Sequence, residues 1–355
     1  MRYRLMYFLL SSILVASCGF AAPVNQASVE EKTTRSLVTL PADTTLIVYS
    51  GRSEALIKPV VDAFMAENPS ITVLLKAGKD SELAAAILEE QANPQADVFI
   101  TTNMLTTIAL AKKSVLSAHE VPGIREIPER YQSKDKMWTP ITLRARVIMY
   151  NTNLVSADQA PKSFEDLADP KWKGKIAAAN STNGSMQAHI ATLIAVSGTR
   201  GAARFLEGLV ANETTFFGGH TDVRKAVGAG EFAIGIVNHY YYELQRHEPT
   251  DNAVAVVYSG QEEGESGLIV NATAAAIIKN SPHPEAAKKF LDFLFETKTQ
   301  RQFAELNYEY PIVPKISLAP DVRPIVDSQI ISTPFEEIAG HVAEAAQLMG
   351  SAGVP

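Results

Sequence analysis

TLIVYSGRSEALIKPVVDAFMAENPSITVLLKAGKDSELAAAILEEQANPQADVFIT, residues 45–101, alternates short apolar runs with longer amphipathic ones. Thr45–Ser50, Ile71–Lys76 and Asp97–Thr101 read as strands. Between the first two a helix runs through residues 59–65, with Pro59 in its first turn, where a missing N–H costs nothing. A second helix is capped by Asp80 or Ser81 and turns Leu83, Ile87 and Leu88 to one face. This βαβαβ order predicts a parallel sheet with helices on both faces.

The pattern then repeats in kind. Residues 146–151 (RVIMYN) and 175–179 read as strands, with a capping-box-like Ser163-x-x-Asp166 between them. Helical stretches over 184–197 and 199–212 follow. Next come a strand at 214–217, a helix near 221–228, and a strand at 232–237 that runs into Asn238-His239-Tyr240-Tyr241-Tyr242. The unbroken run Gly267–Lys279 (GLIVNATAAAIIK) is long enough for a strand shared by two lobes, acting as a hinge.

At 355 residues the chain suits two lobes rather than one core. With 46% hydrophobic and 20% charged residues it reads as a globular protein. The net charge of −7, with no basic cluster interleaved with aromatics, gives no footprint for nucleic acid. The first 22 residues carry Arg2 and Arg4, an apolar run from Leu5 to Val15, and then small residues. That run is well short of the ~20 residues of a spanning helix, so it reads as an export signal. Val15-Ala16-Ser17-Cys18 resembles a bacterial lipoprotein processing box, with Cys18 as the lipidated residue; cleavage after Ala21 or Ala22 is the alternative. Cys18 is the only cysteine, so the mature chain has no disulfide. Residues 19–43 read as a tether.

Several catalytic signatures are absent: GxSxG, HExxH and GxxxxGK[ST] do not occur. Gly228-Ala229-Gly230-Glu231-Phe232-Ala233 matches a dinucleotide fingerprint, but it leads from helix to strand, the wrong order for a pyrophosphate. The seven histidines show no paired ligand spacing. Asn238–Tyr242 is different. At a strand-to-helix corner, consecutive side chains can both lean into the crevice beyond the strand's carboxyl end, where open α/β folds bind ligands. Two phenols there suit a hard cation, since a metal removes the phenol proton and gains an anionic oxygen. A packed aromatic patch is the other reading of three tyrosines in a row.

Across residues 45–315 the chain resembles the bacterial periplasmic ferric-iron-binding proteins. The matching segments are LIVYSGRSE (46–54), PQADVFIT (94–101), RARVIMYNT (144–152), DPKWKGKIA (169–177), TNGSMQ (182–187), GEFAIGIVNHYY (230–241) and NYEYPIVP (307–314). They recur in the same order and spacing. The resemblance implies an α/β, two-lobed periplasmic-binding-protein fold of class II type, each lobe a mixed, mostly parallel sheet flanked by helices, with a ligand cleft between the lobes. Residues 44–145 plus 271–320 would form lobe 1, and 146–270 plus 321–355 lobe 2.

By position, Tyr240 and Tyr241 match the family's paired tyrosine ligands. In one branch a His in the first strand–helix loop and a Glu after the third strand complete the shell. Ser53 and Thr102 stand there and cannot replace them. The other branch has a third Tyr, which Tyr150 matches. Three phenolates would also balance a trivalent ion in a partly dehydrated crevice. The family fills the remaining positions with a synergistic anion, carbonate or phosphate. Arg52, Arg146 and Arg144 are the cations placed for it, with Arg52 and Arg146 preferred over Arg144. The amides of Asn183, Gly184 and Ser185 at a helix start would add to it, and Asn103, His220 and Asn238 match positions lining the anion pocket.

The expected function is therefore an extracytoplasmic, non-enzymatic receptor for Fe(3+). It would be periplasmic, free or lipid-anchored, and a monomer that delivers iron to the permease of an ABC importer. A receptor of the same fold for a phosphonate, polyamine or sugar phosphate is the nearest rival. A secreted hydrolase would need a nucleophile elbow, which the chain lacks.

Overall fold

The computed structural model describes residues 44–355 apart from Gly264. The export signal, Cys18 and the tether lie outside the described residues. Among the described residues no helix is long and apolar enough to cross a membrane.

Strand β1 (Thr44–Ser50), helix α1 (Glu54–Glu67), β2 (Ile71–Ala77), α2 (Asp80–Glu89), β3 (Val98–Thr101), α3 (Met104–Lys112) and the short β4 (Leu116–Ser117) come first. β1 pairs in parallel with both β2 and β3, as the βαβαβ reading requires. Two details of that reading are corrected. α1 begins at Glu54, so Pro59 lies inside the helix rather than in its first turn; Ile57, Val60, Val61 and Phe64 bury the face that holds the helix together across it. Neither Asp80 nor Ser81 caps α2. Lys79 takes the cap position, and Asp80 is the first helical residue with its side chain turned to Thr102. Leu83 and Ile87 are buried, whereas Leu88 stays exposed.

β5 (Thr139–Asn151) organises the rest. All thirteen of its residues are buried. Its first half pairs with β10 (Val270–Ile278) from Thr139 to Ala145, and its second half pairs with β8 (Ile234–Asn238) from Arg146 to Tyr150. One strand thus belongs to two sheets. The strand shared by both sheets is β5, whereas β10, within the run 267–279 expected to be shared, pairs with β3, β4 and the first half of β5.

The second sheet is filled by β6 (Ile176–Ala179), α4 (Gly184–Ala211), β7 (Thr215–Phe217), α5 (His220–Gly228), β8, α6 (His239–Arg246) and β9 (Val254–Val257). β6 pairs in parallel with β7 and β8. α4 breaks at Gly198, where φ is 72° and ψ is 165°, matching the two helices read from the sequence. The predicted capping box is present: Ser163 N–H donates to Asp166, and Asp166 N–H donates to Ser163 Oγ.

After β10 the chain returns to the first sheet through α7 (Pro284–Phe295), α8 (Thr297–Asn307) and β11 (Tyr310–Pro311), which adds to the first half of β5. It ends in α9 (Phe335–Gly340) and α10 (Val342–Ser351). α9 packs on both α3 and α4, and so touches elements of both sheets. Each sheet is mixed, with helices packed against it and the cleft between the two. Among the described residues the first has two parallel and four antiparallel pairings and the second two of each, so the mostly parallel sheets expected from the sequence are not found, because β10 and β5 run antiparallel to their neighbours.

Candidate functional site

A cavity of about 490 Å³ opens between the two sheets. It is lined by the loop after β1 (Gly51, Arg52, Ser53), the start of α2 (Asp80), Thr102 after β3, Arg144 of β5, the start of α4 (Asn183, Gly184, Ser185), His220, and Tyr240 with Tyr241. These are mostly strand carboxyl ends and helix starts, where an α/β architecture collects ligand-binding groups.

Tyr240 and Tyr241 reach the cavity because β8 stops at Asn238 and α6 starts at once. Deep in a helix, neighbouring side chains diverge by ~100°. In this first turn the two rings stay together, with centroids 4.3 Å apart. Tyr242 turns away to Arg246, whose Nη1 donates to its hydroxyl at 3.5 Å. Burial pushes the Tyr241 phenol well above its ordinary range, and Tyr240 adds to the effect against the pull of Arg144 and Arg52.

His239 anchors the corner. Its Nδ1 accepts from Ala145 N–H at 3.2 Å, which places the ring proton on Nε2, donating to Tyr308 C=O at 2.9 Å. The ring stacks on Tyr310 at 4.0 Å. Burial lowers the His239 pKa to about 3, so the ring is neutral at physiological pH.

Tyr150 is not brought to this cavity. On β5 it faces Ile234, the first residue of β8, whereas Arg146 faces Asn238, the last. Tyr150 lies four positions beyond Arg146 along the strand, roughly 13 Å. Tyr150 is buried at the other end of the pairing from Tyr240 and Tyr241. Of the three tyrosines expected together, the structure brings Tyr240 and Tyr241 to the cavity and leaves Tyr150 apart.

The arginines are also redistributed. Arg52 and Arg144 line the cavity, while Arg146 sits behind it, which reverses the order of preference between Arg144 and Arg146. Sequence reasoning missed the reason, Glu309. This fully buried carboxylate receives Arg52 Nη1 and Nη2 at 3.1 and 2.6 Å and Arg144 Nη2 at 2.9 Å. Burial alone would raise its pKa, but the two guanidiniums outweigh that and hold it below the usual carboxylate range. The Nε–H groups of Arg52 and Arg144 are buried without a hydrogen-bond partner. Its signal in the sequence was one acid set among the aromatics of NYEYPIVP.

Arg146 has no carboxylate partner among the described residues. It contacts His220 Nε2 at 2.7 Å, Asn238 Oδ1 at 3.4 Å and His189 Nδ1 at 3.4 Å, all neutral groups. Burial pulls its pKa down to about 9 against the opposing influence of Tyr240 and Tyr241, so it stays charged at neutral pH. A buried cation without a counter-charge is costly, and deprotonated phenols are the nearest groups able to balance it.

The start of α4 is less open to an anion than its sequence suggests. Asn183 Oδ1 already accepts from Ser185 N–H and Met186 N–H, both at 3.1 Å. Ser185 Oγ accepts from Asn238 Nδ2 at 3.2 Å. Asn103 caps α3 and donates to Gly184 C=O at 3.2 Å, tying the two sides of the cleft together. His220 opens α5 beside the Tyr241 ring, with centroids 5.3 Å apart. Among the described residues no three His, Cys, Asp or Glu side chains gather as a metal cluster.

Two sheets sharing one strand, with a polar cleft between them, are the architecture of a solute receptor. The chain belongs to the bacterial extracellular solute-binding proteins, whose family model matches residues 93–330. It is 30% identical to iron uptake protein A1 of Synechocystis sp. over 351 residues, 96% of this chain and 93% of that protein. Iron-bound HitA from Pseudomonas aeruginosa superposes with a TM-score of 0.81 at 27% identity, covering 88% of this chain and all of that one. A Trichodesmium protein, IdiA or FutA, in complex with iron and citrate ligands matches at 32% identity over 88% of this chain and all of that one, with a TM-score of 0.72.

Proposed function

We propose that this chain is an extracytoplasmic receptor for ferric iron, serving an ABC-type importer. The observation that carries the reading is the Tyr240–Tyr241 pair at the mouth of α6, facing a cavity backed by three buried guanidiniums. Two phenolates offer Fe(3+) hard anionic oxygens, and the cations beside them favour the deprotonated form. The relatives named for iron support the same cargo.

Because Tyr150 stands apart, the pair leaves an iron–phenolate unit with residual positive charge and open positions. An exogenous oxyanion fills them, carbonate or phosphate as the resemblance implies, or a carboxylate chelator such as citrate. The cavity has room for an anion of that size. Arg52 and Arg144 line it as cations, positioned by Glu309, which holds their Nη groups. Closure about β5 brings the two sides of the cleft onto the cargo, favouring the closed state by differential affinity.

The test is titration of the purified protein with a ferric chelate in the presence of bicarbonate, phosphate or citrate. A visible phenolate-to-iron charge-transfer band saturating at one iron per chain is expected. A receptor for an organic solute would stay colourless.

A further inference from the structure

We infer that Asp80 is a third anionic donor to the ferric ion, supplying with Tyr240 and Tyr241 the charge that Tyr150 does not. The inference rests on the ferric reading and adds a residue to it. Asp80 lines the same cavity as the two tyrosines and is almost fully buried. Its carboxylate accepts from Thr102 N–H at 3.1 and 3.0 Å and from Thr102 Oγ1–H at 2.5 Å. Thr102 is its hydrogen-bond partner, and Arg144 acts on it without forming an ion pair.

A carboxylate has about four lone-pair sites, so the Thr102 contacts leave it capacity to accept more. Held at a cavity wall with no ion-paired cation, and with Arg144, already bound to Glu309, acting on it only through space, it favours a cation entering the cleft. Carboxylate and phenolate are both hard oxygen donors, and three such charges balance a trivalent ion.

Its position is fixed from two sides. A Cβ on Gly51 would lie 1.7 Å from Asp80 Oδ1, and one on Gly184, across the cleft, 2.7 Å from Oδ2. Both glycines therefore leave the room that the carboxylate occupies. Contact with Gly184 alone would make Asp80 a closing contact and not a ligand, so the experiment must separate the two.

Asp80→Asn keeps the shape and, with its amide oxygen in the Oδ2 position, an acceptor for the Thr102 N–H and Oγ1–H, but removes the charge. Ferric affinity by chelator competition and the position of the charge-transfer band should be measured on the full purified chain. At least a tenfold loss of affinity is expected, with the band moved to longer wavelength because iron short of one anionic donor accepts phenolate electrons more readily. Gly51→Ala, which displaces the carboxylate without deleting it, should move both readouts in the same direction, and it carries the test should Asp80→Asn fail to fold. Unchanged affinity and band would overturn the inference, as would weaker binding with an unmoved band, which would assign Asp80 to closure alone. Absence of a band in the unsubstituted protein would instead sink the ferric reading itself.

Discussion

Tyr241 is a phenol whose burial resists ionisation, set beside arginines that favour it. Iron must therefore displace protons to bind. While the phenols remain protonated in the free protein, affinity rises with pH, by about one order of magnitude per pH unit for each proton released. In weakly buffered solution the chain should release about two protons more per iron than a Tyr240→Phe/Tyr241→Phe double variant given the same chelate. Equal release would mean that the phenols do not ligate. The pair was legible in the sequence because consecutive tyrosines after a strand are conspicuous on their own. Asp80 was hidden by a plausible capping role, which the structure gives instead to the position of Lys79.

At the scale of elements, Glu309 joins three segments remote in sequence. It lies just before β11 and binds Arg52 in the loop after β1 and Arg144 in β5, 257 and 165 residues away. No local pattern announces such a contact, so the sequence pointed to the arginines without their counterion. Removing one partner of a buried ion pair strands the others. Glu309→Gln should destabilise the protein by about 3 kcal/mol, a drop of several degrees in thermal midpoint; an unchanged midpoint would contradict the network. The same limit explains β5. Its second half reads as a strand from RVIMYN, but burial on both faces removes the alternation that would have extended it back to Thr139. Tyr150 is legible as a strand tyrosine, yet which end of β8 it faces is a matter of register, set by pairing and not by composition.

For the molecule as a whole, the two-lobed class followed from the order of elements and from the resemblance, since repeated strand–helix alternation admits few topologies. The shared strand was sought in the long apolar run 267–279, whereas the strand that changes partners, between Ala145 and Arg146, is β5. Asn103 donates to Gly184 C=O across the cleft, a contact that closure about β5 would favour. Ferric chelate should therefore contract the protein in solution, seen as a smaller radius of gyration by small-angle scattering. An iron-loaded protein as extended as the free one would contradict hinge closure.

The charge-transfer absorbance of Tyr240→Phe, Tyr241→Phe and Tyr150→Phe, each mixed with the same ferric chelate, tests the central claim most directly. The first two variants should lose the visible band and most of their iron, and Tyr150→Phe should keep both. Full colour in either of the first two, or its loss only in Tyr150→Phe, would contradict the account.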